Sequence, residues 1–335
     1  MNPYVIFIDL ILSRVNVARS RKKSKSSKLD SVMTMAFELS GTGEPTVDYI
    51  DLSQCTSLVN RRFYRQGLEW AVAGFTVFTA TGVLGKMGVQ KLPDTWVCDN
   101  GYTKAYHAWK NQQDEAIADS NSESAVARYR DFKIHMDPDH VAAGFANNLL
   151  PIGFTAGVNA GEWQHSQIVV PNLIPDASGS LVDPQEYALH MVGANLIGGV
   201  SRGIIDGYAD SRAYPQSPDP VSTDIAGTGN WMRQMFDVGN DTSEVVENAV
   251  NTNDDLPYDQ VEYPGGTNLV PFLQVHDQVF VTATTVGGKT SIPGTNFKAG
   301  LISISHDMTA GSANVGLLVH LVPGSHRGYL AEDMT

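Results

Sequence analysis

Between residues 31 and 335 apolar and polar positions alternate in short runs broken by turns, the period of half-buried β-strands. Residues 32–39 and 47–52 form the first two runs, separated by Gly41-Thr42-Gly43-Glu44-Pro45. In the third, Leu68, Trp70 and Val72 share one face, and after Gly74 the large residues Phe75 and Val77 fall on the opposite parity. A glycine at such a change of phase predicts a β-bulge. Further strands are predicted at 132–136, 167–170, 187–192, 273–285, 300–305 and 315–322. The run from Leu273 is the most regular, with Leu273, Val275, Val279, Val281 and Ala283 on one face and Gln274, His276, Gln278, Thr282 and Thr284 on the other.

Helical spacing occurs in two places. After Asp99-Asn100-Gly101, the residues Tyr102, Tyr106, Trp109, Gln113 and Ile117 recur every three to four positions, which predicts a helix whose aromatic stripe packs on a core. A second, small helix is predicted over 243–250, with Thr242 as its cap and Glu244 at the positive end of its dipole. Loops rich in Pro, Asp and Gly cover 206–229 and 254–267. The pattern holds no fixed-period repeat and no linker that halves the chain. Many short strands, elaborate loops and one or two short helices predict an all-β fold, a single jelly-roll antiparallel β-sandwich with long loop insertions.

The N-terminal segment differs. Met1 to Leu12 read MNPYVIFIDLIL, an apolar run interrupted by Asp9 and with no positive charge ahead of it, a pattern that argues against a signal peptide. It is also too short to span a bilayer. Residues 14–28 then carry Arg14, Arg19, Arg21, Lys22, Lys23, Lys25 and Lys28 and no acid. The division expected is therefore 1–30, an apolar start plus a basic arm, and 31–335, the jelly-roll domain.

Charge sharpens this division. The chain has a formal net charge of -13, so the residues outside the arm carry -20. A cationic tail without apolar periodicity suits a polyanionic partner, of which nucleic acid is the commonest; a solvated tail or a nuclear-import signal is the alternative. With 42% apolar and 9% aromatic residues the 335-residue chain has enough material for a large core. Its 31 glycines and 16 prolines favour turns over long helices. Cys55 and Cys98 match no bridge framework and no metal spacing, and buried thiols in a reducing compartment are expected.

No enzyme constellation emerges. Val286-Gly287-Gly288-Lys289-Thr290 has the end of a phosphate-binding loop without its first glycine, and a strand-connecting turn is expected instead. His135-Met136-Asp137-Pro138-Asp139-His140 is dense in metal-ligand types, but Pro138 excludes a regular element through it. Asp237, Asp241, Asp254, Asp255, Asp259 and Glu262 lack the spacing of a calcium loop and read as a solvated acidic face. Thus no catalytic, cofactor-binding or metal residue is assigned. A second cationic patch, Asn60-Arg61-Arg62-Phe63-Tyr64-Arg65, sets three guanidinium groups among two aromatic rings, a combination that tracks phosphates while stacking bases. Arg61, Arg62 and Arg65 join the seven arm cations as candidate nucleic-acid ligands; intersubunit ion pairs are their other reading.

Several stretches in order resemble the capsid proteins of circular Rep-encoding single-stranded DNA (CRESS-DNA) viruses. They are Leu92-Pro93-Asp94-Thr95-Trp96, Arg130-Asp131-Phe132-Lys133-Ile134-His135, Glu162-Trp163 with Ser166-Gln167-Ile168-Val169-Val170-Pro171-Asn172, and Gly207-Tyr208-Ala209-Asp210-Ser211-Arg212. Pro215-Gln216-Ser217-Pro218, Asp255-Leu256-Pro257-Tyr258-Asp259, Tyr263-Pro264-Gly265-Gly266 and the stretch from Val319 to Ala331 continue the likeness. The resemblance implies a capsid protein in the virion, assembled in the host nucleus as a T=1 icosahedral homo-oligomer. It further implies packaging of a circular single-stranded DNA genome by an inward-facing arm and an unknown host receptor, with no membrane, no cofactor and no catalysis. The rivals are a lectin-like carbohydrate-binding jelly roll and a cupin-type metalloenzyme. A cupin needs a His-x-His pair, which the sequence lacks.

Overall fold

The computed structural model describes residues 31–39, 43–80, 82–126, 130–152, 160–170, 185–194, 200–213, 243–244, 247–248, 272–282, 288–308 and 315–334. The chain divides after Ser31, and Val32–Thr335 forms one unit. The seven arm cations, the six acidic loop residues and the Pro-rich stretch 214–220 lie outside the described residues.

The strands are β1 (Thr34–Leu39), β2 (Thr46–Asp51), β3 (Leu68–Phe78), β4 (Gly85–Lys91), β5 (Gln167–Val170), β6 (Gln185–His190), β7 (Ser201–Gly203), β8 (Gln274–Val281), β9 (Lys289–Pro293), β10 (Asn296–Phe297), β11 (Leu301–Met308) and β12 (Val315–Leu321). Three short ones, β13 (Pro323–Gly324), β14 (Gly328–Tyr329) and β15 (Ala331–Asp333), close the chain. One sheet runs β1-β12-β3-β10, with β9 and β15 also on β3; the other runs β2-β11-β4-β8. With β9 and β10 counted as two halves of one position, eight successive strand positions are shared four and four between two antiparallel sheets. The first lies beside the last, and the second beside the last but one. That order is a jelly roll.

Alternation along each strand produces the core between the sheets. Met35, Phe37 and Leu39 of β1 face Val315, Leu317, Val319 and Leu321 of its partner β12, and all are buried. From the other sheet come Ile50, Met87, Val89, Ile302, Ile304 and Met308. Side chains of this size stabilise the fold by roughly 1.5–3 kcal/mol each on full burial. The expected bulge in β3 is present. His320 pairs with Gly74 and Leu321 with Val72, so Ala73 is the extra residue, and the buried set passes from Leu68, Trp70 and Val72 to Phe75 and Val77.

The β8 run departs from its predicted alternation. Register shifts so that Val89 pairs with Asp277 and Gln90 with Val275, leaving His276 as an extra residue. Val281 stays buried while Val275 turns out to solvent at 59% exposure. A bulge, invisible without the partner strand, moved the apolar residue to the other face.

Helix content exceeds the one or two short helices expected. The helices are α1 (Leu52–Asn60), α2 (Trp96–Asp119), α3 (Pro138–Ala143) and α4 (Ile204–Ala213). The 24-residue α2 starts before the predicted Tyr102 and carries the aromatic stripe, of which Tyr102 and Trp109 are buried against Phe132. Within the predicted 243–250 helix, Ser243, Glu244, Glu247 and Asn248 are helical. None of the described helices is long and apolar enough to cross a membrane.

Between β4 and β8 the chain inserts residues 92–273, which build a second core. Tyr49 of β2 and Leu301 of β11 point out of the sandwich into it, meeting Val97, Tyr102, Phe132, Ile134, Met136, Leu189 and Ile205. The segment 132–136, predicted as a strand, forms a single β-bridge among the described residues, His135 to His190, with further backbone bonds from Ser166 to Lys133 and from Val192 to Met136. Its even residues Phe132, Ile134 and Met136 are fully buried in the second core. In the three-stranded sheet β5-β6-β7, β6 and β7 are parallel.

Candidate functional site

Asp51 ends β2 and caps α1, where Oδ1 accepts from Ser53 N (2.9 Å) and Gln54 N (3.2 Å). Its Oδ2 accepts from Gln66 Nε2 (3.2 Å) and Trp163 Nε1 (2.9 Å). Complete burial outweighs these four donors and pushes the carboxyl up to about 6. One carboxylate thereby ties a helix start to an indole over a hundred residues further on. The other edge of that indole's segment is held by Ser166, whose N–H donates to Lys133 O (2.8 Å) while Lys133 N donates to its Oγ (2.9 Å).

At the far end of α1, Arg61 adopts the left-handed conformation (φ 52°) and its N–H donates to Ser57 O. The turn throws Arg61, Arg62 and Phe63 to one side, and a cleft of about 590 Å³ opens between them and Lys133, Glu162 and Trp163. Lys133 Nζ lies 4.6 Å from the Trp163 ring centre and 5.8 Å from that of Phe63, and the two rings are 6.3 Å apart, tilted by 56°. Ammonium against two ring faces is a cation–π arrangement.

The sequence-assigned patch thus splits. Arg61 and Arg62 line this cleft with Phe63. Arg65 instead lines a separate one with Tyr102, Tyr106 and Asp131; it donates to Arg130 O (3.3 Å) and stands 4.0 Å from Asp131. Tyr64, read from sequence as a stacking ring, is buried against Trp70 and Tyr329 and donates to Arg327 O (3.2 Å). Lys133 and Trp163 were not identified from sequence as ligands. The signal was there for Lys133, a charge on the odd face of a run whose even residues are apolar. For Trp163 no local signal exists, because its place depends on Asp51.

The dense stretch His135 to His140 has a structural explanation. Asp137 caps α3, accepting from His140 N (2.7 Å) and Tyr49 Oη (3.0 Å). His140 Nδ1 accepts from Met136 N (3.1 Å) and its Nε2 bonds Asn148 Oδ1 (2.9 Å), so both ring nitrogens are in use. Among the described residues no three His, Cys, Asp or Glu side chains are placed to hold a metal ion. Cys55 and Cys98 are free, buried thiols, and burial pushes both well above the ordinary thiol range. Lys289 and Thr290 begin β9 after Gly288, so no helix follows the glycines as a phosphate-binding loop requires. No protein-family model, curated protein or solved structure matches the chain.

Proposed function

We propose that this chain is a coat protein, related to those of the CRESS-DNA viruses, that assembles as an icosahedral shell and packages single-stranded DNA. The observation that carries the reading is a jelly-roll body joined directly to a cationic segment of opposite charge. A jelly roll alone serves lectins, cupins and capsids alike, so the fold does not choose between them. Seven cations in fifteen residues, ahead of a body at -18, do distinguish them, since neither a glycan-binding nor a metalloenzyme jelly roll has use for such an arm. The acidic body has its own role here: it keeps nucleic acid from coating surfaces other than those the arm and a few cationic side chains offer.

Binding through the arm is electrostatic and independent of sequence. If all seven cations contact phosphate, log affinity falls against log salt with a slope of roughly -5 for single strands. Fluorescence anisotropy with an oligothymidylate across a salt series measures it, and a slope near zero overturns the arm's role. Negative-stain microscopy of the purified chain with DNA tests assembly: closed shells are expected, and a monodisperse monomer or dimer rejects the reading.

A further inference from the structure

We infer that the cleft between α1 and Trp163 is a nucleotide-binding site of the jelly-roll body itself, separate from the arm, which takes a segment of single-stranded nucleic acid. The inference deepens the coat-protein reading and takes from it only the identity of the strand. Three observations carry it. The first is charge: Arg61, Arg62 and Lys133 line the cleft against one carboxylate, Glu162, in a molecule whose formal charge is -13. Local reversal of so strong a net charge marks a place for an anion.

The second is Lys133. The residue is only 8% exposed, yet Nζ makes no hydrogen bond among the described residues; the nearest carboxylate oxygen, on Asp131, is 3.9 Å away. The groups beside this ammonium are two ring faces and the Asp131 carboxylate at 3.9 Å, which answer its charge but leave its N–H groups without a close acceptor. Phosphate oxygen supplies what is missing. The Arg61 guanidinium is likewise without an ion pair among the described residues.

The third is rigidity. Trp163 is fixed at its Nε1 by Asp51, in a segment that Ser166 ties to Lys133 three residues further on, and Phe63 follows the αL turn at Arg61. Rings held in advance stack a base with little loss of side-chain freedom. At about 590 Å³ the cleft lies within the roughly 300–1,000 Å³ usual for small ligands. A neighbouring cleft of about 830 Å³ shares Lys133 and Gln164 with it and adds Gln112 and Arg130, so a chain leaving one enters the other. That continuity favours a strand over a free nucleotide. A glycan would also stack on Trp163, but three cations against one acid match no neutral sugar.

The test uses the full chain with the seven arm cations replaced by Gln, titrated against a fluorescein-labelled oligothymidylate. Expected is residual binding with a salt slope of about -2, from three phosphate contacts. Trp163→Ala should weaken it about tenfold or more and Trp163→Phe far less. Because Trp163→Ala also breaks the bond to Asp51, Arg61→Gln is the second variant: exposed and unpaired, it should fold normally, weaken binding several-fold and reduce the slope by about 0.7. Loss of all binding on arm neutralisation, or full binding by both Arg61→Gln and Lys133→Gln, overturns the site. Displacement by inorganic phosphate as efficient as by thymidine monophosphate rejects base stacking, and displacement by neutral sugars assigns the cleft to a glycan. Shell formation is scored separately by microscopy. Shells with unaltered binding by the cleft variants defeat only the cleft; cleft binding by a chain that never assembles defeats only the coat-protein reading.

Discussion

At the scale of single residues, Asp51 joins three parts of the molecule through four accepted hydrogen bonds: the start of α1, Gln66 before β3, and Trp163 in the insertion. Asp51→Ala removes a helix cap, worth about 1 kcal/mol, and leaves buried donors without acceptors at about 1–3 kcal/mol each. We expect a loss of about 3–4 kcal/mol in urea unfolding. Asp51→Asn keeps the oxygen that caps α1 but turns an amide against the donors of Gln66 and Trp163, so its cost should be near half that. Equal stability of Asp51→Ala and the parent chain would show that water replaces the carboxylate. Because the indole loses its anchor, Asp51→Ala should also weaken oligothymidylate binding by the arm-neutralised chain.

At the scale of elements, β9 and β10 both pair with β3, and Gly294 lies between them. A Cβ there would collide with Val72 O and the backbone of Ala73, the extra residue of the β3 bulge. Backbone cannot swing aside as a side chain can, so Gly294→Ala should cost about 3 kcal/mol or more. Gly207 in α4 is the contrast, with nothing within 4 Å of its Cβ position; Gly207→Ala should stabilise by about 0.5–1 kcal/mol. Thermal unfolding of the two variants separates close approach from helix propensity, and similar midpoints would refute the distinction. The same locality explains what the sequence could tell. The strands β1, β2, β3, β8, β11 and β12 and the β3 bulge were legible because alternation and a glycine at the phase change are local signals, whereas β4, β9 and β10 carry no such alternation and were not predicted. The β8 bulge at His276, the single-bridge pairing of 132–136 and the parallel β7 were not, since each is decided by a partner strand far along the chain. Half of the cleft was likewise legible: Arg61, Arg62 and Phe63 are contiguous, whereas Lys133 and Trp163 reach it only through the fold of the insertion.

At the scale of the whole molecule, the insertion that places Lys133 and Trp163 also buries imidazole. His135 has ring neighbours in His140 (4.8 Å), His165 (5.0 Å) and Phe145 (4.3 Å), and among the described residues neither of its nitrogens makes a hydrogen bond of ordinary length. Burial, reinforced by the surrounding histidines, pushes His135 down to about 2; burial pushes His140 down to about 4 and lowers His165 and His190 too. A histidine whose folded pKa lies below its unfolded value near 6.5 stabilises above that pH. The contribution is lost as pH falls, because the unfolded chain takes protons the folded one refuses. Buried carboxyls act the other way. Asp51, raised to about 6, binds a proton first in the folded state and so returns stability below about pH 6, and Asp131 and Asp137, raised by burial, act in the same direction. Setting His135 and His140 against Asp51 leaves about one net proton between about pH 6 and pH 4, a decline of about 1.4 kcal/mol per pH unit, to which the lowered His165 and His190 add and the raised Asp131 and Asp137 run counter. Urea midpoints should therefore drop between pH 7.5 and 5. His135→Leu removes one histidine proton, and its slope should be shallower by about 1.4 kcal/mol per unit. A flat parental profile, or a slope unchanged in His135→Leu, would mean that the imidazoles are hydrated. Acid that loosens this second core also releases Lys133 and Trp163, so oligothymidylate affinity of the arm-neutralised chain should fall over the same interval.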